Sequence, residues 1–304
     1  MTEIICLGEP MVEFNQNPDG RFSQGFGGDT SNCAISAARQ GANVSYATKI
    51  GSDQFGDQLI DLWKSEGVNT DLVIRDPDFP TAVYFVTHDQ SGHHYTYYRK
   101  HSAVSQIKPD DLPEPAIANA RLLHVSAISQ AISESAADTV LAAIEIANRN
   151  QTTVAYDTNL RLNLWSLDRA KSVIHEAMAQ CQIALPSYDD ATLLTGFTEP
   201  DDIVHFYLKL GASIVVLKNG SQGVIVATPE VRRAIPAIKV DFVDANGAGD
   251  TFAGAFHAAM SLGKDHFDAA AYANTAAGLS TTRPGAVTAI PHKTEVEARL
   301  AKGE

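Results

Sequence analysis

The 304-residue chain has no block of five or more basic residues, and 23 Lys and Arg stand against 36 Asp and Glu, a formal net charge of −13. A nucleic-acid surface needs clustered cations, so this composition excludes that class of partner. Any anionic ligand must be held by local cations and backbone N–H groups working against the overall field. Cysteine is scarce too: Cys6, Cys33 and Cys181 are widely spaced among apolar residues. An odd, scattered set is no disulfide framework and predicts reduced, buried thiols in a cytoplasmic protein. The start "MTEIICLGEP" lacks a basic segment and a long apolar run, so it does not read as a signal peptide. No apolar stretch approaches 18 residues, which excludes a spanning helix and a membrane partner.

What is present is a regular alternation. "EIICLG", "VSYATKIG", "RLLHVSAI", "TTVAYD", "QIALP" and "SIVVLKNG" are short runs rich in Val, Ile and Leu. Between them lie helix-like stretches such as "DTSNCAISAARQG", closed by Gly41, "DQLIDLWKSEG", ending at Gly67, "AADTVLAAIEIANRN" and "LDRAKSVIHEAMAQ". The pattern predicts an α/β protein: a doubly wound, mostly parallel sheet with helices on both faces. Two segments break the rhythm. Residues 81–100 read as a β-hairpin turning at "DQSG", and residues 12–26 as a second, irregular strand-like piece with Pro18 and Gly20. Together they predict a small β-sheet lid beside one domain spanning residues 1–304, with no linker between independent domains.

The string "DFVDANGAGDTFAGAFHAAM" carries the strongest chemical signal. A strand-like lead-in runs into Gly247-Ala248-Gly249-Asp250, and a small-residue helix with Gly254 follows. Unpaired N–H groups and the dipole of a helix N-terminus favour phosphate there. An aspartate in such a turn repels a passively bound anion. Asp250 makes sense beside a reacting phosphoryl group, accepting a proton from an attacking hydroxyl. The helix N-terminus is expected to keep it ionised. The same residues would also serve as a tight turn with a dipole-complementing acid. The pattern is neither a Walker A loop nor a dinucleotide fingerprint.

Near the N-terminus, Gly27-Gly28 and Asn32 precede "GANVSYATKIGSDQFGD". With residues 244–250 this segment resembles the ribokinase-like (PfkB) family of carbohydrate kinases, over nearly the whole chain and in the right order. The resemblance implies phosphorylation of a sugar hydroxyl with ATP as co-substrate and Mg²⁺, and it leaves a monovalent cation open. It implies Asp250 as general base and Gly247, Ala248 and Gly249 as an anion hole. It places Asn159, Lys218, Gly220, Gly223 and Asn274 near ATP, the middle three within "LKNGSQG". Two departures stand out: Ala245 replaces the family's usual Thr, and the Asn-x-x-Glu pattern after "QIALP" falls on Ser187 and Asp190. Asp190, with its shorter arm, would hold Mg²⁺ only through water.

Alternation along "HHYTYYRKHSA" puts Tyr95, Tyr97 and Arg99 on one face, with Tyr84 on the partner arm able to join them. "VAYDTNLRLNLW" places Asp157, Asn159 and Arg161 past the carboxyl end of a buried strand, where open α/β sheets bind ligands. Arg161 could instead pair with Asp157. Two arginines at one site are costly to desolvate for a neutral sugar and fitting for a carboxylate. Within the family, "YYRKHSA" and "DTNLRLNLW" resemble the kinases of 2-keto-3-deoxygluconate. The resemblance implies a sugar acid held by Gly28, Asn32, Tyr84, Tyr97, Arg99 and Arg161, phosphorylated on its terminal hydroxyl. A kinase of a neutral sugar or nucleoside, or a non-catalytic nucleotide or sugar-acid sensor, remains an alternative. A homo-oligomer formed through the tyrosine-rich lid is also expected.

Overall fold

The computed structural model describes residues 3–89 and 92–302. Its main sheet contains β1 (Ile4–Leu7), β4 (Val44–Gly51), β5 (Val73–Asp76), β8 (Leu122–Ser126), β9 (Thr153–Asp157), β10 (Ile183–Leu185), β11 (Ile214–Lys218), β12 (Val224–Ala227) and β13 (Arg232–Ile235). A second sheet contains β2 (Met11–Gln16), β3 (Phe22–Gly27), β6 (Val83–Asp89) and β7 (Gly92–Tyr98). The main sheet has nine strands in the order β13-β12-β11-β10-β9-β8-β1-β4-β5, and the small sheet four in the order β3-β2-β6-β7. Every pairing from β5 to β11 is parallel, and β12 and β13 add an antiparallel edge.

The inner parallel strands are mostly apolar because both faces are covered. In β1, Ile4 and Cys6 join one core cluster while Ile5 and Leu7 join the other. The first cluster packs the helices Asp29–Arg39, Ala248–Ser261 and His266–Ser280 against the sheet; the second packs Glu134–Arg149, Leu167–Met178 and Pro200–Leu210. Side-chain caps fix several helix starts: Asp53 accepts from the Gly56 N–H and Ser133 from that of Ala136. All three cysteines are buried and free, and among the described residues no helix is long and apolar enough to cross a membrane.

In the small sheet the segment expected to be irregular is two paired strands, β2 and β3, joined by a turn in which the Gly20 N–H donates to the Asn17 carbonyl. The other hairpin pairs β6 with β7 in a register that sets Tyr84 opposite Tyr97; Gln90 and Ser91 of its expected turn lie outside the described residues. Alternation divides the sheet cleanly. Tyr84 and Tyr97 face the main domain, while Phe14, Phe22, Phe85 and Tyr98 pack edge and face on the other side. One expectation fails. The lead-in to Gly247 is no strand: residues 236–246 are irregular, and Phe242 and Val243 are exposed. Without a ladder partner the segment is tied instead by the Val243 and Asp244 N–H groups, both donating to the Thr281 carbonyl.

The Asp29–Arg39 and Ala248–Ser261 helices touch backbone to backbone at Gly254. A Cβ there would lie 2.3 Å from the Cys33 carbonyl oxygen and 2.5 Å from Ser36 Cβ. Gly254→Ala must push the helices apart, at a cost of about 1–3 kcal/mol. A thermal midpoint lowered by about 2–10 °C is expected from that cost, and an unchanged midpoint in a melting experiment would contradict it.

Candidate active site

Two cavities open at the carboxyl ends of the parallel strands, where this topology places ligands. The upper one, about 730 Å³, lies between the main sheet and the small sheet and is lined by Glu9, Met11, Gly28, Asp29, Asn32, Tyr84, Tyr95, Tyr97, Arg99 and Ala245, among others. The lower one, about 530 Å³, is lined by Asp157, Ser187, Asp189, Asp190, Lys218, Gly220, Ser221 and Gln222, among others. Asn159, Arg161, Gly249 and Asp250 line both. Two compartments therefore meet at the glycine-rich turn.

Gly247 adopts a left-handed conformation, φ 72°, at the cap of the Ala248–Ser261 helix, a geometry that glycine allows without a Cβ penalty. The N–H groups of Gly249 and Asp250 lie in the helix's first turn and have no acceptor within it. Ala248 differs from the expected anion-hole role, because its N–H donates to the Ala245 carbonyl at 3.1 Å. The Asp250 carboxylate accepts a 2.8 Å hydrogen bond from Asn32 Nδ2. Its ionisation departs from expectation. Burial, helped by the neighbouring Asp29 and Asp157 carboxylates, outweighs Asn32 and Lys218 and raises it to about 7.

On the upper walls the Tyr84 and Tyr97 rings stack at 5.6 Å, and Tyr95 stacks on Tyr97 at 6.2 Å. Tyr84 donates to the Glu13 carboxylate. The Arg99 guanidinium lies over the Tyr97 ring, 4.3 Å from its centre, as the hairpin alternation predicted. Arg161 does not pair with Asp157: its Nη1 donates to the Leu160 carbonyl. Asp157 instead holds Lys218 at 2.5 Å, a largely buried ion pair. Asn159 lies at the junction and donates to Asp29 at 2.9 Å.

Gly220 lines the lower cavity. Gly223 and Asn274 do not reach either cavity. Gly223 turns the chain against the edge strand, where a Cβ would meet the Ile235 carbonyl at 2.1 Å, and Asn274 donates to the Pro236 carbonyl. Asp190 faces the lower cavity while its Oδ2 accepts the Leu160 N–H at 3.0 Å. Asp189, Asp190 and Ser187 offer oxygen ligands only, a donor set that suits a hard cation such as Mg²⁺. A separate buried set, Cys33, His124 and His257, lies under the turn. The two rings meet at 3.0 Å, and burial drives both towards the neutral form.

Sequence reasoning passed over Glu9 and Asp29. Both are buried and line the upper cavity, and burial raises the pKa of each, Glu9 to about 7. The available signal was position: Glu9 follows β1 at the carboxyl edge of the sheet, and Asp29 follows Gly28 at a helix start.

Comparison with known proteins agrees with this architecture. The model of the pfkB family carbohydrate kinases matches residues 1–293, and the chain belongs to that family. It is 31% identical to a 2-dehydro-3-deoxygluconokinase of Thermoproteus tenax, covering 99% of this chain and 94% of the relative. It is likewise 31% identical to one of Bacillus subtilis, over 98% and 95%. A Fructokinase-1 of Oryza sativa is 30% identical over 96% of each chain. Among solved structures, a Vibrio cholerae fructokinase with fructose, ADP and calcium bound superposes with a TM-score of 0.88 at 25% identity over 98% of both chains. The protein is thus a ribokinase-like carbohydrate kinase.

A carboxyl group whose pKa is raised by folding stabilises the fold fully below its unfolded value, and that contribution is lost as pH rises through about 7. Asp250→Asn removes this loss. Its melting temperature should exceed the parent's by about 2 °C or more at pH 8, with the gap closing towards pH 4; a variant less stable at pH 8 would contradict the buried-charge account.

Proposed function

We propose that the protein transfers the γ-phosphoryl group of ATP to the terminal hydroxyl of a sugar acid, 2-keto-3-deoxygluconate, giving its 6-phosphate and ADP. The observation that carries this reading is the junction: Gly249 and Asp250 line two cavities at once. An acceptor in the upper cavity and a nucleotide in the lower one would meet at the only carboxylate common to both among the described residues. Asp250 takes the proton of the attacking hydroxyl, and the hydroxyl oxygen forms the new P–O bond as ADP leaves. The Gly249 and Asp250 N–H groups and the helix dipole face the transferring group, and Arg161 at the junction adds a cation. Mg²⁺, held through Asp190 and Asp189, would neutralise charge on the phosphates. The sugar-acid assignment rests on Arg99 and Arg161 in the acceptor cavity and on the two 2-dehydro-3-deoxygluconokinase relatives.

A second reading, phosphorylation of a neutral ketose, has a specific observation behind it. Glu9 already stands 3.3 Å from Arg99 and offsets its charge, and fructokinases are among the relatives.

A coupled assay of ADP release should show turnover with 2-keto-3-deoxygluconate well above that with fructose or ribose. Good turnover of fructose and none of the acid would overturn the substrate assignment. In the same assay Asp250→Asn should lose at least about 10³-fold in kcat. Because Asp250 ionises near 7 in the free protein, the kcat/KM of the parent should fall about tenfold per pH unit below roughly that point. A profile flat from pH 5 to 9 would remove Asp250 as the base.

A further inference from the structure

Glu9 is the least satisfied ionisable group in the acceptor cavity. Its side chain has no solvent exposure, and neither carboxylate oxygen has a hydrogen-bond partner. Arg99 Nη2 stands 3.3 Å from Oε2, within ion-pair range but out of line for a hydrogen bond, and Arg99 Nε is itself buried without an acceptor. The pair is half made on both sides. Such an arrangement is costly in a dry cavity unless something completes it.

The sugar-acid reading makes the difficulty sharper. A substrate carboxylate laid against Arg99 would put two anions on one buried guanidinium. Asp29, buried nearby at the start of its helix, adds a third negative group. Tyr97 on β7 and Tyr46 on β4 also face Glu9, and both stay neutral because burial raises their ionisation further. Among the described residues Arg99 is thus the one cation facing Glu9.

We propose that Glu9 is a specificity-determining residue that sets the charge of the acceptor site: as a carboxylate it pairs with Arg99, and when an acid substrate binds it takes one proton from solvent. The neutral carboxyl then has an O–H to donate to the substrate carboxylate, while Arg99 turns its free donors to the same group. No bond other than this O–H forms, and the proton is returned to solvent when the anion leaves. Glu9 is poised for the exchange, since burial places its ionisation at about 7, with Arg99 pulling it down and Asp29 pushing it up. A neutral ketose asks for no proton and leaves the Glu9–Arg99 pair in place. The same residue would therefore separate the two substrate classes.

The inference rests on the sugar-acid reading, and binding of 2-keto-3-deoxygluconate tests the two separately. Calorimetry on Asp250→Asn protein, in buffers of different ionisation enthalpy, measures proton uptake without a contribution from Asp250. Uptake approaching about one proton per site at pH 8 is expected, with affinity falling about 50-fold from pH 7 to 9. Adding Glu9→Gln should abolish the uptake and flatten the pH dependence. Binding with no proton uptake, or uptake undiminished by Glu9→Gln, overturns the role of Glu9 and leaves the substrate reading intact. Should Glu9→Gln fail to fold, the uptake by the Asp250→Asn protein still decides. No binding of the acid at any pH overturns the substrate reading and the inference with it.

Discussion

The hydrogen bond from Asn32 to Asp250 spans 218 positions of sequence, and the site is arranged around it. It exists because two helices approach closely enough for Gly254 to lie against the Cys33 carbonyl. That contact is lined with small residues, alanines and glycine on one helix and Cys33, Ser36 and Ala37 on the other. Ser36 donates to the Thr251 carbonyl across the same seam, giving the helix start a second tie. Larger side chains would separate the glycine-rich turn from the first helix, and the two cavities would lose their common floor. Fine placement of one carboxylate thus comes from packing of the plainest residues in the chain.

Charge within the cleft is balanced locally even though the chain is strongly acidic. Asp157 has Lys218, Glu9 has Arg99, and Asp250 has only a neutral amide. Burial raises Asp250 to about 7, and Glu9 as well despite Arg99; for Asp250 that is the range the proposed proton acceptor would need. A lysine placed directly on Asp250 would hold it ionised and weaken it in the proposed role of base. Lys218 is paired with Asp157 and gives the lower cavity a cation, and its pull on Asp250 is outweighed by burial.

How much of this was legible in the sequence depended on the distance over which each feature is decided. The doubly wound sheet could be read from local periodicity, and the common face of Tyr97 and Arg99 from strand alternation, since the pleat fixes both within a few residues. The turn at Gly247 was legible because glycine has few reasons to cluster there. Partner choice was not. Nothing local says that Asp157 takes Lys218 rather than Arg161, because β9 and β11 become near neighbours only through the strand order. The ionisation of Asp250 misled for the same reason. A helix N-terminus is visible in sequence, whereas the burial of Asp250, and the approach of Asp29 and Asp157 to it, exist only in the folded chain. Gly223 and Asn274 carry motif-like surroundings yet serve the edge strand and the segment after it.

An arginine at the end of a strand of tyrosines, just past Tyr98, in an acidic protein is explained by what surrounds it. The ring of Tyr97 gives its cation a polarisable face without neutralising it, and Met11 Sδ, 3.4 Å from Nη2, is a weak acceptor at best. Full neutralisation by an aligned carboxylate would leave Arg99 nothing to offer a ligand. No acid at all would leave a buried cation that water would have to reach. Glu9, close but misaligned, is the intermediate case, and its value lies in being displaceable by a proton. Selection between a neutral and an anionic acceptor then turns on one buried carboxyl group, which can respond to the charge of the incoming molecule without movement of the backbone.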